Sequence, residues 1–363
     1  MLSTSKDKSI VGLDVEAASV AAAQLGADGS REVQQVAIAP LDGGLVREGE
    51  VLDPEALGEA LRALFTEHKL SKTVRLGVAN QRVAVRTLRL PLIEDPAELE
   101  TAVRFQAQEH LPMPLEQAVL DHQVVSRYSG EDGTRGMEVV AVAARRDMLE
   151  ALLAAVRVAG LRPVGIDLSA FGLIRALAPE TVDLASNPDF TADADQPAYL
   201  PAVLYCNLGD VTNLAVARGS SCLFSRISPF GVEVIAQRLA ERRTLALDHA
   251  RQWIAHVGLQ QATHEIEGDP QIVTATRETL EEGANKLADE LRLSLEFYGA
   301  QEGVQPVERV VISGPGSTIP GLIDRLQAGL GQPLSIVRPD ALSQLGDPAA
   351  ARLTVSFGLA LED

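Results

Sequence analysis

The chain has 363 residues, 46% of them hydrophobic, and a mean hydropathy of +0.07, enough for two or three domain-sized units with their own cores. Its 32 basic and 50 acidic residues leave a formal net charge of −18, a sign that repels phosphate backbones and anionic lipid and argues against nucleic-acid binding and a polybasic membrane anchor. No run of about 18 uncharged apolar residues occurs, since the best candidate, Met148 to Ile166, is broken by Arg157 and Arg162.

Met1 to Ser9 is short and polar, with two lysines and no apolar core, so it does not read as a signal peptide. Ile10 to Val15 reads as an apolar strand with Asp14 near its end, followed by a small-residue turn over Glu16 to Ser19. A strand over Val20 to Leu25, a Gly-bearing turn at Gly26 to Gly29 and a strand over Val33 to Leu41 come next. Leu57, Leu61 and Leu64 recur at helical spacing and predict a helix over Pro54 to His68. From Arg82 to about Ala170 the chain reads as a small α+β module. Its first helix opens at Asp95-Pro96, with Leu99, Val103, Ala107 and Leu111 on one face. Strands over Ala118 to Tyr128 and Met137 to Ala144, a helix over Asp147 to Ala159 and the strand VGIDLSA complete it. Pro179 to Pro201 is rich in Pro, Asp, Asn and Ala and reads as an inter-domain loop.

The pattern then restarts. AVLYCNL, the turn GDVT, NLAVAR, a Gly219-Ser220 turn, CLFSRIS and a helix from Gly231 to about Arg242 repeat the opening order of strand, tight turn, strand, turn, strand, helix. Glu278 to Tyr298 predicts a long helix with Leu280, Ala284, Leu287, Leu291 and Leu295 on one stripe. ERVVISGPGSTIPGLIDRLQAGLG reads as strand, Gly-rich loop and helix, with Ser317 or Thr318 as cap, and a last helix spans Arg352 to Leu361. Cys206 and Cys222 form no metal-type pair and read as reduced, buried thiols. The six histidines lack metal-ligand spacing, and neither a G-x-S-x-G elbow nor a G-x-x-x-x-G-K loop is present.

The segments RTLRLP, FQAQEHLPMPLEQAVLD, AGLRPVGIDLSAF, NLGDVTNLAVARG, FSRISPFGVEVIAQ and SGPGSTIPGL together resemble the PilM family of type IV pilus assembly proteins over nearly the whole chain. FtsA is similar in architecture but ends in a membrane-binding amphipathic tail, whereas SFGLALED is too short and too acidic for one. The resemblance implies an α/β, actin-like fold: two duplicated RNase H-like halves with a small α+β insert in the first. Its expected divisions are residues 1–85 with the C-terminal helix at 350–363 for the first half, 86–170 for the insert and 171–201 for a connecting helix and linker. The second half then spans 202–349, with a helical subdomain at about 231–302.

The resemblance further implies a cytoplasmic scaffold that assembles as a homo-oligomer or ring and is recruited to the inner face of the cytoplasmic membrane without inserting into it. It would bind the N-terminal tail of a PilN-like bitopic membrane partner in a groove between first half and insert. Arg86, Arg104 and Phe105 are candidates to line that groove, with a solvated ion pair for the arginines and core packing for Phe105 as the plainer alternatives.

Family ATP sites would fall at Asp14 and Ser19 in the first turn, Asn207, Gly209 and Thr212 in the second, and Gly314, Gly316 and Ser317 in the adenine loop. Each piece departs from the family pattern. Glu16 replaces a glycine, which removes close backbone approach and adds a charge that repels phosphate. Ala21 stands for a lysine, Asn207 for a metal-binding aspartate, Gln252 and Ile254 for ribose contacts, and Pro315 for a glycine. The expectation is a vestigial ATP site, with neither cofactor nor metal required and hydrolysis lost. A nucleotide-gated switch using ATP with Mg, or the cytoplasmic component of a type II secretion-like system, are the alternative readings.

Overall fold

The computed structural model describes residues 9–26, 31–129, 134–184, 200–301 and 304–361. Most of the Met1 to Ser9 segment, of the Gly26 to Gly29 turn and of the Pro179 to Pro201 loop lies outside them.

The first half contributes strands β1 (Val11–Val15), β2 (Ser19–Leu25) and β3 (Val33–Pro40), a two-residue hairpin β4 (Val46–Arg47) and β5 (Glu50–Val51), helix α1 (Pro54–Glu67) and strand β6 (Thr73–Val78). The insert follows as β7 (Val83–Pro91), α2 (Pro96–His110), β8 (Ala118–Ser129) and β9 (Arg135–Arg145). The chain then runs through α3 (Arg146–Val158), β10 (Arg162–Leu168) and α4 (Ser169–Leu184). The second half holds β11 (Ala202–Leu208), β12 (Thr212–Arg218), β13 (Ser221–Ser228), α5 (Val232–Arg243), α6 (Leu247–Val257) and α7 (Pro270–Gly299). It ends with β14 (Val307–Ser313), α8 (Leu322–Leu330), β15 (Leu334–Ile336) and α9 (Asp347–Ala360).

Both halves are built on five-stranded sheets of one topology, ordered β3-β2-β1-β6-β10 and β13-β12-β11-β14-β15. In each, three antiparallel strands are extended by two parallel ones. Three helices open on the same local chemistry. Asp53, Asp95 and Asp269 each accept a backbone N–H of the first turn, and Pro54, Pro96 and Pro270 take the position where a missing N–H does no harm.

β11 is buried along its whole length, as a central strand covered on both faces must be. Leu204, Cys206 and Leu208 face α5 and α7, whereas Val203 and Tyr205 join the core shared with the first half. Helix α9 returns to pack against β1, β2 and α4. That packing is close enough that a Cβ on Gly358 would strike the carbonyl of Gly172.

Several elements differ from their expected place or length. The strand read as the last piece of the insert, β10, pairs in parallel with β6 and closes the first sheet instead. Helix α3 likewise leans on α1, with Val158 against Gly58. Among described residues the insert sheet is therefore the three strands β7-β9-β8. Helix α4 runs on through Pro179 to Leu184, where a loop was expected, and α7 begins at Pro270, ahead of Glu278. Neither Ser317 nor Thr318 caps a helix. They donate to the carbonyls of Gly314 and Pro315 in a 3-10 turn, and α8 starts after Gly321.

Candidate functional sites

The first candidate site is the cleft where the β1–β2 turn meets the β11–β12 turn. Asp14, at the end of β1, is buried and accepts a 2.6 Å charge-assisted bond from Nη1 of Arg352 on α9. Arg352 Nε donates to Ser19 Oγ at 2.7 Å, and its Nη2 donates to the backbone carbonyls of Asp14 and Ser19. Glu16 Oε2 lies 3.6 Å from the same guanidinium. One arginine thereby ties together both ends of the first turn. Burial alone would lower its pKa, but the Glu16 and Asp14 carboxylates raise it and keep it charged.

The Glu16 side chain crosses the cleft. Its carboxyl lies where a Cβ on Gly209 would be, so only glycine at 209 leaves it room. Burial pushes the Glu16 carboxyl up to about 8 against the pull of Arg352, with Asp210, Asp14 and Glu233 adding to the rise. Asp210 follows in the second turn, and its Oδ2 accepts the backbone N–H of Ala18 at 3.0 Å. Burial, then the nearby Glu233, raises Asp210 to about 6. Glu233, on the first turn of α5, is clasped by Arg251 of α6, with Nε to Oε2 at 2.9 Å and Nη2 to Oε1 at 2.6 Å.

The expected nucleotide positions thus gather at one place, already engaged with one another. Asp14 and Ser19 hold Arg352. Gly209 receives Glu16, and Thr212 Oγ1 donates to the Phe230 carbonyl. Gly314, at φ +85°, sits so close to Asn207 that a Cβ would lie 2.7 Å from its Oδ1. Gly316 packs on Leu208 and Val232, and Ser317 Oγ accepts from Arg338. At the expected ribose positions Gln252 is exposed and Ile254 is core; their neighbour Arg251 is the residue that reaches the cleft. Reading the sequence misses Arg352, Arg251 and Glu233. Arg352 carried a usable signal, as the one charged residue in the run ARLTVSFGLA.

The second candidate site is a groove of about 600 Å3 between the insert and the first half. It lies between β8 and β10, and each is the outer strand of its sheet. Val119, Val142, Val164, Ile166 and Phe171 give it an apolar lining, with Asp121 and His122 on the β8 side. Arg175 pairs with Asp167 on the opposite wall, and Arg75 donates to the carbonyls of Leu359 and Leu361 on the C-terminal segment behind it. Val119 and Val164 are 40% and 56% exposed, large for valines without a partner.

The residues expected to meet a partner are elsewhere. Met137, Val139 and Ala141 of β9 pack under α2, whereas Val140, Val142 and Ala144 face the groove. Arg104 and Phe105 are exposed on α2, and Arg86 is exposed beside Ala141 on the α2 side. None of the three lines the groove, and Phe105, 62% exposed, is not a core residue either.

A family model described as type IV pilus assembly protein PilM matches residues 12–362. A chain of the structure described as the PilM-PilN type IV pilus biogenesis complex is 27% identical, with 97% of each chain covered and a TM-score of 0.78. The ethanolamine utilization protein EutJ from Carboxydothermus hydrogenoformans is similar at 14% identity and TM-score 0.53, covering 97% of this chain and 88% of its own. ADP-bound MreB5 of Spiroplasma citri is similar at 13% identity and TM-score 0.54, covering 97% and 95%. The last two likenesses concern the fold, which is actin-like.

Proposed function

The chain belongs to the PilM family of type IV pilus assembly proteins, and from that premise we propose that it is a scaffold on the cytoplasmic side of the inner membrane. It receives the extended N-terminal tail of a PilN-like membrane partner in the groove between β8 and β10. The observation that carries this reading is that two outer strands flank one apolar groove. An edge strand offers unpaired N–H and C=O groups to a peptide backbone, and apolar pockets beside it select alternate side chains. The membrane association then belongs to the partner; no helix among the described residues is long and apolar enough to cross a membrane.

The ATP site is vestigial in this reading. A nucleotide's phosphates would meet the Asp210 carboxylate at short range and the Glu16 carboxyl packed onto Gly209, in a place where Arg352 is fully occupied by Asp14 and Ser19. The arrangement contains the pieces of an actin-like site but uses them on one another.

Two titrations test the two parts. A synthetic peptide of the partner's tail binds the wild type saturably, and Val164→Arg, placed on an exposed position that tolerates it, weakens binding by about tenfold or more. Phe105→Ser binds as the wild type does. Unchanged affinity in Val164→Arg would sink the groove assignment. Calorimetry with Mg-ATP gives no heat of binding; micromolar affinity would make the nucleotide-gated switch the better account.

A further inference from the structure

We propose that Asp210 is a resident anion, seated on the backbone N–H groups of the first turn, and that it bridges the two halves in the place of a nucleotide phosphate. The inference goes beyond the loss of ATP binding: it says what holds the cleft shut without it.

The seat is the turn Ala17-Ala18-Ser19, between β1 and β2. Successive N–H groups in such a turn form an anion-binding concavity. Here the Ala18 N–H points at Asp210 Oδ2, 3.0 Å away across 192 residues of sequence. The carboxylate is delivered by a turn that has little freedom to withdraw. The Val232 N–H, in the first turn of α5, donates to the Gly209 carbonyl at 2.9 Å. Gly231 lies so near the Gly209 and Asp210 carbonyls that a Cβ would collide with both. Thr212 Oγ1, bonded to the Phe230 carbonyl at 2.7 Å, ties the far side of the turn to the same segment.

The other contacts across the cleft agree with a permanent occupant. Glu16 of the first half packs onto Gly209 of the second. Arg352 neutralises Asp14 and fixes Ser19, so the turn that presents the Ala18 N–H is held at both ends. A second link between the halves runs from Ser313 Oγ at the end of β14 to Thr354 Oγ1 of α9, at 3.1 Å. A diffusible anion would have to displace a covalently attached one whose effective concentration is set by a rigid turn.

Amide hydrogen exchange over residues 15–20 reads the seat directly. In the full chain without nucleotide these amides exchange slowly; Asp210→Ala speeds exchange at the turn by about tenfold or more, while β9 in the insert is unchanged. Asp210→Asn keeps the shape and a neutral acceptor, so it lies between the two and guards against a folding defect in the alanine variant. Acetate or inorganic phosphate added to Asp210→Ala slows the turn again. Exchange at the turn that is identical in wild type and Asp210→Ala overturns the proposal and leaves the vestigial-site reading standing. Failure of both acetate and phosphate to restore protection overturns the anion seat in favour of general loosening. A wild-type turn that becomes protected only with Mg-ATP overturns both readings together.

Discussion

Replacing Arg352 with methionine removes the group that ties the two ends of the first turn together. The side chain is 7% exposed and donates to two side chains and two carbonyls. At 2.6 Å from Asp14, the attraction is about 6 kcal/mol for an effective dielectric of about 20, and desolvation of the two ions offsets much of it. What the substitution exposes is the remainder: a buried, uncompensated Asp14 and two carbonyls without donors. Breaking a buried pair in this way costs about 3–5 kcal/mol. The double variant Arg352→Met, Asp14→Asn removes the stranded charge and recovers about 2 kcal/mol or more of that loss.

Urea unfolding followed by far-UV circular dichroism and by tryptophan fluorescence separates local from global effects. Trp253 is the only tryptophan and sits on α6 in the second half. Arg352→Met shifts the circular dichroism transition to lower urea while the Trp253 transition moves less, because two halves this size need not unfold as one. A shift of both probes by less than about 1 kcal/mol, or a double variant no more stable than Arg352→Met, would refute the claim that this arginine compensates Asp14.

Three further outcomes follow from the same geometry. Between about 4.5 and 8 the native chain keeps a proton on Glu16 that the unfolded chain releases, so stability falls as pH rises through that window; Asp210, raised to about 6, acts in the same direction at lower pH. Glu16→Gln removes most of that slope and gains about 2–4 °C in Tm near pH 8, as differential scanning fluorimetry across pH would report; an unaltered slope would place the proton elsewhere. Asn213, 1% exposed and opposite Asn207, has both side-chain amide atoms without a hydrogen-bond partner, so Asn213→Leu stabilises by about 1 kcal/mol in urea melts, and destabilisation would mean the amide is satisfied. Phe105→Ser leaves stability within about 0.5 kcal/mol, since the ring is 62% exposed; a larger loss would show that it packs.

Local chemistry made much of the fold legible. Asp53-Pro54 and Asp95-Pro96 mark two helix starts because cap and proline act within a single turn, the same signal at Asp269-Pro270 goes unread when α7 is placed from Glu278, and the repeated strand-turn-strand order discloses the duplication. Long-range pairing is not encoded that way. β10 follows the insert in sequence, and nothing local distinguishes joining β9 from joining β6 in parallel. The same limit governs the sites. The turns around Asp14 and Asn207 could be placed, yet Arg352 lies 338 residues from Asp14, and its role is a property of packing. The α2 stripe Leu99, Val103, Ala107 is correctly apolar, but it does not reveal which face of the insert sheet is left open. Arg104 and Phe105, on α2, lie on the side of that sheet away from the groove.

The return of α9 to the first half has a consequence for synthesis. The opening strands emerge from the ribosome early, but the arginine that compensates Asp14 is translated 338 residues later. At typical elongation rates the delay is roughly 20–70 s. Throughout it, β1 and β2 lack the helix that covers them, and the first half exists only as an unfinished sheet with apolar surface open to chaperones or to neighbouring chains. Completion of the amino-terminal half is thereby made contingent on the carboxy-terminal one, so a message cut short before α9 yields a chain damaged at its beginning.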